Sequence, residues 1–430
     1  MTAKERSKIL LQLTWVLVCF SSVLAAQSGR RLWVLHAPDE IVEYDAITFA
    51  TKQAIKVPPQ VLKSPDHLAI NSKGQMLFVP SLAGNEQTAG QSPATGKIWF
   101  WNGQTGAFLD RGVTRTAARA GANLSVFEVT PQCFLSADGR HLYWFANEFK
   151  KLTSGDGALE ISVSTTFRAW QTDLTGGQRE QIATFSFQPC KCETGVCSET
   201  CPEAEFWIPT EGVKDFFIAT HWYQGQVSTT YESSFLYRKS AEKWLAGKLP
   251  LVMEQVLDAA QSGSIIIHAI PDGGCCGWDN VSSDQTLLTR NGKNVVFFDE
   301  FKRYANPDFD VSFFTSNARL SPDANSVAVT IISTAQPGID IRLSDQGKPD
   351  AKELARIRQT LKELPAVEVL KLEDSPKRSA LIPCATLAGW LNDKEILLVE
   401  ENALVAFDVA AGVRRKSQIK VPRESHVFIR

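Results

Sequence analysis

KIWFWNGQTGAFLD, residues 97–110, places strand-forming residues on both sides of a polar turn that contains Asn102 and Gly103. An Asn-Gly pair supplies the positive φ angles of a tight hairpin turn, and the flanking residues suit pleated strands. The segment therefore predicts a β-hairpin. Six more segments repeat the order of strand, polar turn and strand, at residues 41–57, 167–185, 234–249, 286–298, 367–381 and 403–419.

Seven recurrences of one hairpin predict a repeat architecture, because self-similar segments of this length form stacked supersecondary units. We expect an all-β fold, a seven-bladed β-propeller in which these segments are the outer hairpins. The spacings between them are uneven, which predicts insertions and leaves six or eight blades as alternatives.

A second pattern predicts the inner strands. A Ser-x-Asp or Asn-x-x-Gly turn comes directly before an apolar run at residues 70–79, 135–145, 320–331 and, in a degenerate form, 391–399. Asp and Asn tolerate the backbone geometry that reverses a chain. These segments resemble the WD40-like (PD40) repeats of TolB-type β-propellers, in which such a turn opens the second strand of a blade. The resemblance implies a propeller that is exported, from a bacterium.

The amino terminus predicts export independently. Three basic residues precede an apolar run from Ile9 to Leu24, and the small residues Ala25 and Ala26 follow it. This order is typical of a secretory signal peptide covering residues 1–26. We expect a periplasmic or extracellular protein with no membrane span after cleavage. The alternative is a signal that is retained as an anchor.

Residues 27–430 then form a single propeller domain. A first strand at residues 31–36 precedes the first hairpin, so one strand is missing from that blade, and we expect the C-terminal strand at residues 425–430 to pair there and close the ring. Residues 349–365 predict a short helical insertion. Its apolar residues fall on one helical face, and they are Leu354, Ile357, Leu361 and Leu364.

The chain has 45 basic and 47 acidic residues, a formal net charge of −2, with both signs interspersed. Nucleic-acid grooves and anionic membrane surfaces both require a basic field, so we expect neither partner. We expect a monomer whose partner is an unknown protein or small-molecule ligand.

Cysteines give the most specific chemical signal in the sequence. Four lie in a Cys-rich loop insertion at residues 186–204, in the order C-x-C-x4-C-x3-C. Cleavage of the signal peptide would remove Cys19 and leave eight cysteines. An even number of cysteines in an exported chain predicts disulfides. The candidates are Cys190, Cys192, Cys197, Cys201, Cys133, Cys275, Cys276 and Cys384.

We expect Cys190 and Cys192 each to bridge to Cys197 or Cys201, since cysteines one residue apart rarely pair. A thiolate site for zinc or copper is the alternative for these four. Cys275 and Cys276 are adjacent and could form a strained ring, bind a soft metal or pair elsewhere, with Cys133 and Cys384 as partners.

No nucleophile elbow, phosphate loop, paired metal-binding histidines or dinucleotide fingerprint occurs in the sequence. We assign no catalytic residue, metal or cofactor and expect a binding or interaction scaffold that uses the loops at one end of the ring and the channel mouth. Two alternatives stay open. One is a propeller hydrolase or lyase with a site at the channel mouth, and the other is metal handling through the Cys-rich loop.

Overall fold

All seven predicted hairpins are present, and each forms the outer half of an antiparallel sheet with four strands in series. The computed structural model describes residues 30–36, 39–59, 61, 65–71, 73–80, 94–103, 106–117, 126–136, 139–152, 160–174, 179–187, 190–193, 203–208, 215–224, 229–241, 243–250, 252–253, 255–269, 285–299, 313–333, 351–373, 376–421 and 427–429. The fold class is confirmed as an all-β, seven-bladed β-propeller.

Blades are numbered along the chain. The strands of blades 1 to 3 are β1 (Arg31–His36), β2 (Glu40–Asp45) and β3 (Thr51–Lys56); β4 (Pro65–Ile70), β5 (Met76–Pro80), β6 (Ala94–Asn102) and β7 (Ala107–Ala117); β8 (Val126–Leu135), β9 (His141–Leu152), β10 (Glu160–Asp173) and β11 (Arg179–Ser186), with β12 (Cys190–Glu193) added beside β10.

The strands of blades 4 to 7 are β13 (Glu203–Trp207), β14 (Phe216–Gln224), β15 (Thr229–Ser240) and β16 (Lys243–Lys248); β17 (Gln255–Ala260), β18 (Ile265–Ala269), β19 (Gln285–Arg290) and β20 (Lys293–Asp299); β21 (Phe313–Leu320), β22 (Ser326–Ser333), β23 (Ala366–Lys371) and β24 (Lys377–Ile382); β25 (Thr386–Trp390), β26 (Glu395–Glu400), β27 (Ala403–Asp408) and β28 (Arg414–Lys420). The last strand, β29 (Val427–Ile429), lies at the edge of blade 1 beside β1.

The ring is closed by strand pairing between the two ends of the described chain. β29 is antiparallel to β1, with Leu32 opposite Ile429 and Val34 opposite Val427. β29 is therefore the first strand of blade 1 and β1 the second. The first strands of neighbouring blades contact one another around the ring centre, as β17, β21, β25 and β29 do.

Hydrophobic packing lies between blades. Each of the seven boundaries has a cluster of buried apolar side chains that comes from the two blades it joins. At the boundary of blades 1 and 2, for example, Trp33 and Met76 are both fully buried. Burial of apolar surface between sheets therefore holds the ring together.

The turn motif of the sequence has a simple hydrogen-bonding basis. In four blades one polar side chain at the end of the first strand accepts hydrogen bonds from backbone N–H groups across the turn, and these residues are Asn71, Ser136, Ser321 and Asn392. In blade 6, Ser321 also donates to Asp323 at 2.6 Å. The side chain satisfies backbone groups that the sheet leaves without a partner.

The predicted helix is present as α1 (Ala351–Glu363). Ile357 and Leu361 are buried, as the apolar spacing indicates. Among the described residues, no helix has the length and apolar character needed to cross a bilayer.

Candidate functional site

The two faces of the ring differ in their connections. Neighbouring strands within a blade are antiparallel, so the turns from first to second strand and from third to fourth strand lie on one face. The connections from second to third strand, and from one blade to the next, lie on the other face. We call these the short-turn face and the long-connection face.

Contacts between turns of adjacent blades support the assignment of the short-turn face. The Ser262 hydroxyl in the β17–β18 turn donates to Asp215 before β14, at 2.5 Å. The Asp323 N–H in the β21–β22 turn donates to the Asp393 carboxylate in the β25–β26 turn, at 2.9 Å. Turns of the same kind therefore meet around one face.

The longest connections belong to the long-connection face of blades 2 to 6. They comprise residues 81–93, 187–202, 270–284, 300–312 and 334–365, and the last of them includes α1. On the short-turn face the longest connection is residues 208–215, and in blade 7 the connection from second to third strand is only residues 401–402. Each insertion therefore leaves and re-enters the ring at blades 2 to 6. The part of the long-connection face over blades 7 and 1, which we call the short-connection sector, has short connections.

A buried histidine lies between blades 3 and 4, in the half of β14 that leads to the long-connection face. His221 in β14 is 1% exposed, and its ring centroid is 4.3 Å from that of Phe185, 4.7 Å from Phe187 and 4.8 Å from Phe235. We call these four side chains the His221 cluster. Phe185 and Phe187 belong to the end of blade 3, so the cluster joins two blades directly before the chain enters the cysteine-containing strand β12.

The His221 imidazole is held in its neutral form. Burial lowers its pKa to about 4, and the positive charge of Lys248 lowers it in the same direction. Nδ1 lies 3.5 Å from the Ser233 hydroxyl, while Nε2 is buried and has no hydrogen-bond partner among the described residues. An unsatisfied buried nitrogen opposes folding, so the aromatic packing must offset it.

Hydrogen bonds fix both sides of the His221 cluster. The Asn147 side chain in β9 donates to the Ala204 carbonyl at 3.1 Å and accepts from the Ala204 N–H at 3.2 Å, which ties blade 3 to the first strand of blade 4. The Ser234 hydroxyl accepts from the Met253 N–H at 3.0 Å and lies 2.8 Å from the Thr220 hydroxyl. The cluster therefore sits in a rigid part of the ring.

The buried carboxylates near the other boundaries have structural partners. Glu43 accepts two hydrogen bonds from Arg31 and one from Gln53. Burial raises the pKa of Glu43, but these hydrogen bonds outweigh it and hold the pKa below its usual value. Asp258 accepts from the N–H of Leu320 in the next blade, at 2.8 Å. These acids act as links within and between blades.

The predicted cysteine sites are only partly within the described residues. Cys190 and Cys192 lie in β12, where Cys190 is opposite Val163 and Cys192 opposite Ile161. The sequence predicted a loop for these residues, and the structure corrects this to a strand, because they pair with the extended start of β10. Cys133 lies in β8, opposite Trp144. Four of the eight candidate cysteines lie outside the described residues, namely Cys197, Cys201, Cys275 and Cys276.

Cys384 is an exposed free cysteine in the connection from blade 6 to blade 7, on the long-connection face. Its thiol donates to the Lys362 carbonyl at the end of α1, at 3.5 Å. The structure adds no support to a disulfide of Cys384, and the pairings of the other cysteines stay predictions. Within the described ranges, no group of three His, Cys, Asp or Glu side chains is placed to hold a metal ion.

Sequence reasoning gave His221 no special role, since a single histidine in a strand is usually structural. One local signal was present. Phe185 ends a predicted strand and Phe187 lies two residues beyond it, so an extended chain would place both rings on the same face and concentrate aromatic contact there. The side chain that these rings contact comes from the neighbouring blade, so the sequence around Phe185 and Phe187 does not indicate it.

No protein-family model and no curated protein matches the chain. Solved structures give only remote similarities. Dipeptidyl peptidase 4 of Porphyromonas gingivalis is 8% identical, with a TM-score of 0.40, over 91% of this chain and 58% of that one. The WD40 domain of SCAP from fission yeast is 8% identical, with a TM-score of 0.35, over 90% of this chain and 79% of that one.

A puromycin-hydrolysing peptidase of Mycobacterium tuberculosis is 10% identical, with a TM-score of 0.38, and the match covers 92% of this chain and 54% of that peptidase. The chain thus spans little more than half the length of the peptidases it resembles. Similarity at this level transfers no activity. The comparisons leave the TolB-type family and a bacterial source as predictions.

Proposed function

We propose that the protein is an exported β-propeller scaffold that binds a partner protein through its long-connection face. The observation that carries this proposal is the segregation of the longest connections, in blades 2 to 6, to one face. Binding residues occur preferentially on loops that a rigid scaffold positions, and propellers use such faces because the blades need only short turns to fold.

The rigidity of the scaffold supports the same proposal. Apolar clusters at all seven boundaries and the β1–β29 pairing hold the blades in one ring. A preorganised surface loses less conformational entropy when it binds a partner. Export rests on the predicted signal peptide at residues 1–26, which lies outside the described residues.

The hydrolase or lyase alternative has no assigned catalytic residue, and metal handling through the cysteines depends in part on Cys197 and Cys201, which lie outside the described residues. Both stay predictions. The scaffold proposal is preferred because it follows from the placement of connections between strands that the structure does describe.

Site-directed photo-crosslinking tests the proposal. A photoreactive phenylalanine analogue replaces Glu232 or Gln359, which are exposed near the long-connection face, in the cells that make the protein. Matched controls carry it at Lys243 or Ala411, which are exposed on the short-turn face. We expect protein adducts from Glu232 or Gln359 and none from the controls. Adducts from the short-turn face alone, or from no position, would overturn the proposal.

A further inference from the structure

The exposed side of α1 has an unusual charge. Its exposed residues are Ala351, Lys352, Ala355, Arg356, Arg358, Gln359 and Lys362, so the exposed side carries four positive charges and no negative charge. The two acids of the helix are half-buried and engaged. Glu353 pairs with Arg356, and Glu363 accepts a hydrogen bond from Gln359 at 2.9 Å.

Lys362 lies in the last turn, where a positive charge favours the helix dipole, but the spacing of Arg358 and Lys362 does not stabilise the helix. Arg358 and Lys362 are four residues apart on the exposed side, and like charges at this spacing repel and oppose helix formation. Neither has an ion pair among the described residues. The helix is instead held by burial of Ile357 and Leu361, which are 0% and 3% exposed. The charges of Arg358 and Lys362 are therefore available to an external anion.

The end of α1 borders the short-connection sector. The Cys384 N–H donates to the Glu363 carbonyl at 2.8 Å, and the Ala385 N–H donates to the Pro365 carbonyl at 2.8 Å. These bonds fix the helix end beside the connection into blade 7. On this face the connection into blade 7 is followed by residues 401–402, 421–426 and 37–39, so the C-terminal end of α1 lies at the edge of the sector over blades 7 and 1.

We propose that the exposed basic side of α1 binds an acidic polypeptide segment of a partner protein. The inference rests on the proposed function, because α1 belongs to the long-connection face. Charge complementarity selects the partner, since the chain as a whole has a net charge of −2 while this surface is positive.

Two other anionic partners fit this surface less well. A helix that lies on a membrane inserts an apolar side, but Ile357 and Leu361 are buried, and the exposed apolar residues of α1 beside the cations are only Ala351 and Ala355. Nucleic acids are bound by basic fields wider than one short helix, and the chain has nearly equal numbers of both charges. An acidic segment needs only a few closely spaced cations.

The test uses the purified full chain and a fluorescein-labelled decaglutamate peptide, with binding measured by fluorescence anisotropy at low and at physiological salt. We expect the double variant Arg358→Glu, Lys362→Glu to weaken binding at least tenfold. The matched control Lys239→Glu, Lys243→Glu has the same charge change and spacing at exposed positions of blade 4 near the short-turn face, and it should change binding less than twofold.

A second pair, Arg358→Gln and Lys362→Gln, removes charge without adding acid, and circular dichroism checks that each variant is folded. Equal weakening in both charge-reversal variants, or no peptide binding by the unmodified chain, would overturn the inference. A third result would also overturn the inference. If the unmodified chain binds phosphatidylserine vesicles but not the peptide, and the Arg358→Glu, Lys362→Glu variant no longer binds the vesicles, the surface is assigned to a membrane.

The two proposals fail separately. Persistent crosslinks from Glu232 without peptide binding would leave the scaffold proposal intact and remove the role of α1. If peptide binding depends on Arg358 and Lys362 but crosslinks form only from the short-turn face, the role of α1 stands and the scaffold proposal fails.

Discussion

At the scale of single residues, burial decides what the polar groups do. His221 is enclosed by three phenylalanine rings and stays neutral, while Glu43 stays ionised because Arg31 and Gln53 donate to it. Burial removes water from both side chains, which opposes the protonated form of His221 and the ionised form of Glu43. Only the carboxylate has partners that compensate for it.

The neutral state of His221 predicts a stability loss in mild acid. Its folded pKa of about 4 lies below the unfolded value of about 6.5, so the unfolded chain takes up the proton first as the pH falls. Stability from this group is complete above pH 6.5 and declines toward pH 4, by about 2 to 3 kcal/mol at pH 4.5. Urea unfolding between pH 7 and pH 4.5 measures this loss.

His221→Phe provides the reference for that experiment, because phenylalanine keeps the aromatic packing and has no proton to gain. The difference in unfolding free energy between the two proteins should shift in favour of the variant as the pH falls. Parallel pH profiles would show that His221 is accessible to water and that the pKa is not lowered.

At the scale of elements, local patterns identified the parts of the fold that local chemistry determines. Turn residues and strand-forming flanks located all seven outer hairpins, and the Ser and Asn turns located four of the inner ones. The β17–β18 turn was missed, because the 3-10 turn at Gln261–Gly263 carries no Ser-x-Asp signature. The strand β12 was missed because its partner is the extended start of β10 rather than a neighbouring segment.

The candidate site was less predictable than the fold. His221 meets Phe185 and Phe187 from one blade and Phe235 from its own, and a meeting between blades depends on how two sheets pack. The basic side of α1 was visible as charges in the sequence. Its place beside the connection into blade 7 was not, since it depends on the backbone bonds of Cys384 and Ala385.

The link between blades 3 and 4 predicts the effect of Asn147→Ala. Asn147 satisfies both backbone groups of Ala204, and truncation would leave a buried N–H and a buried carbonyl without this partner. We expect a loss of about 2 kcal/mol or more in the free energy of unfolding. Gln181→Ala, at an exposed position of β11, should change it by less than about 0.5 kcal/mol. Equal effects in urea unfolding would contradict the assigned role.

The cysteine-rich segment predicts a labelling pattern. If Cys190, Cys192, Cys197 and Cys201 form two disulfides, none of them reacts with iodoacetamide in the native, non-reduced protein, and metal analysis finds no stoichiometric zinc or copper. Each bond should stabilise the segment by about 2 to 3 kcal/mol. Cys384 is exposed and free, so its labelling is the internal positive control, and Cys384→Ser removes it.

Labelling at two or more of the four predicted positions, found by peptide mapping, would contradict the disulfides. A chelator that loosens the segment, together with about one bound metal per chain, would assign the thiolates to a metal site.

At the scale of the whole molecule, the ring is closed by the short pairing of β29 with β1. Two adjacent blades share one buried cluster at each boundary, but blade 1 is completed only by β29, whose Ile429 is 8% exposed and packs with Leu32 and Leu404. An open ring would expose the edge of β1 and the apolar boundary with blade 7. Exposed edges of this kind promote aggregation.

Deletion of residues 425–430 should therefore abolish cooperative melting or cause aggregation, because it removes the β1–β29 ladder as well as the Ile429 side chain.

The milder Ile429→Ala variant keeps the strand and loses only packing, which predicts a loss of about 2 to 4 kcal/mol in the free energy of unfolding. Lys416→Ala, exposed on β28, is the matched control and should melt like the unmodified chain. Differential scanning calorimetry with light scattering measures all three. An unchanged melting midpoint after the deletion would show that the ring is held by its apolar boundaries alone, and the closure would then have no role in stability.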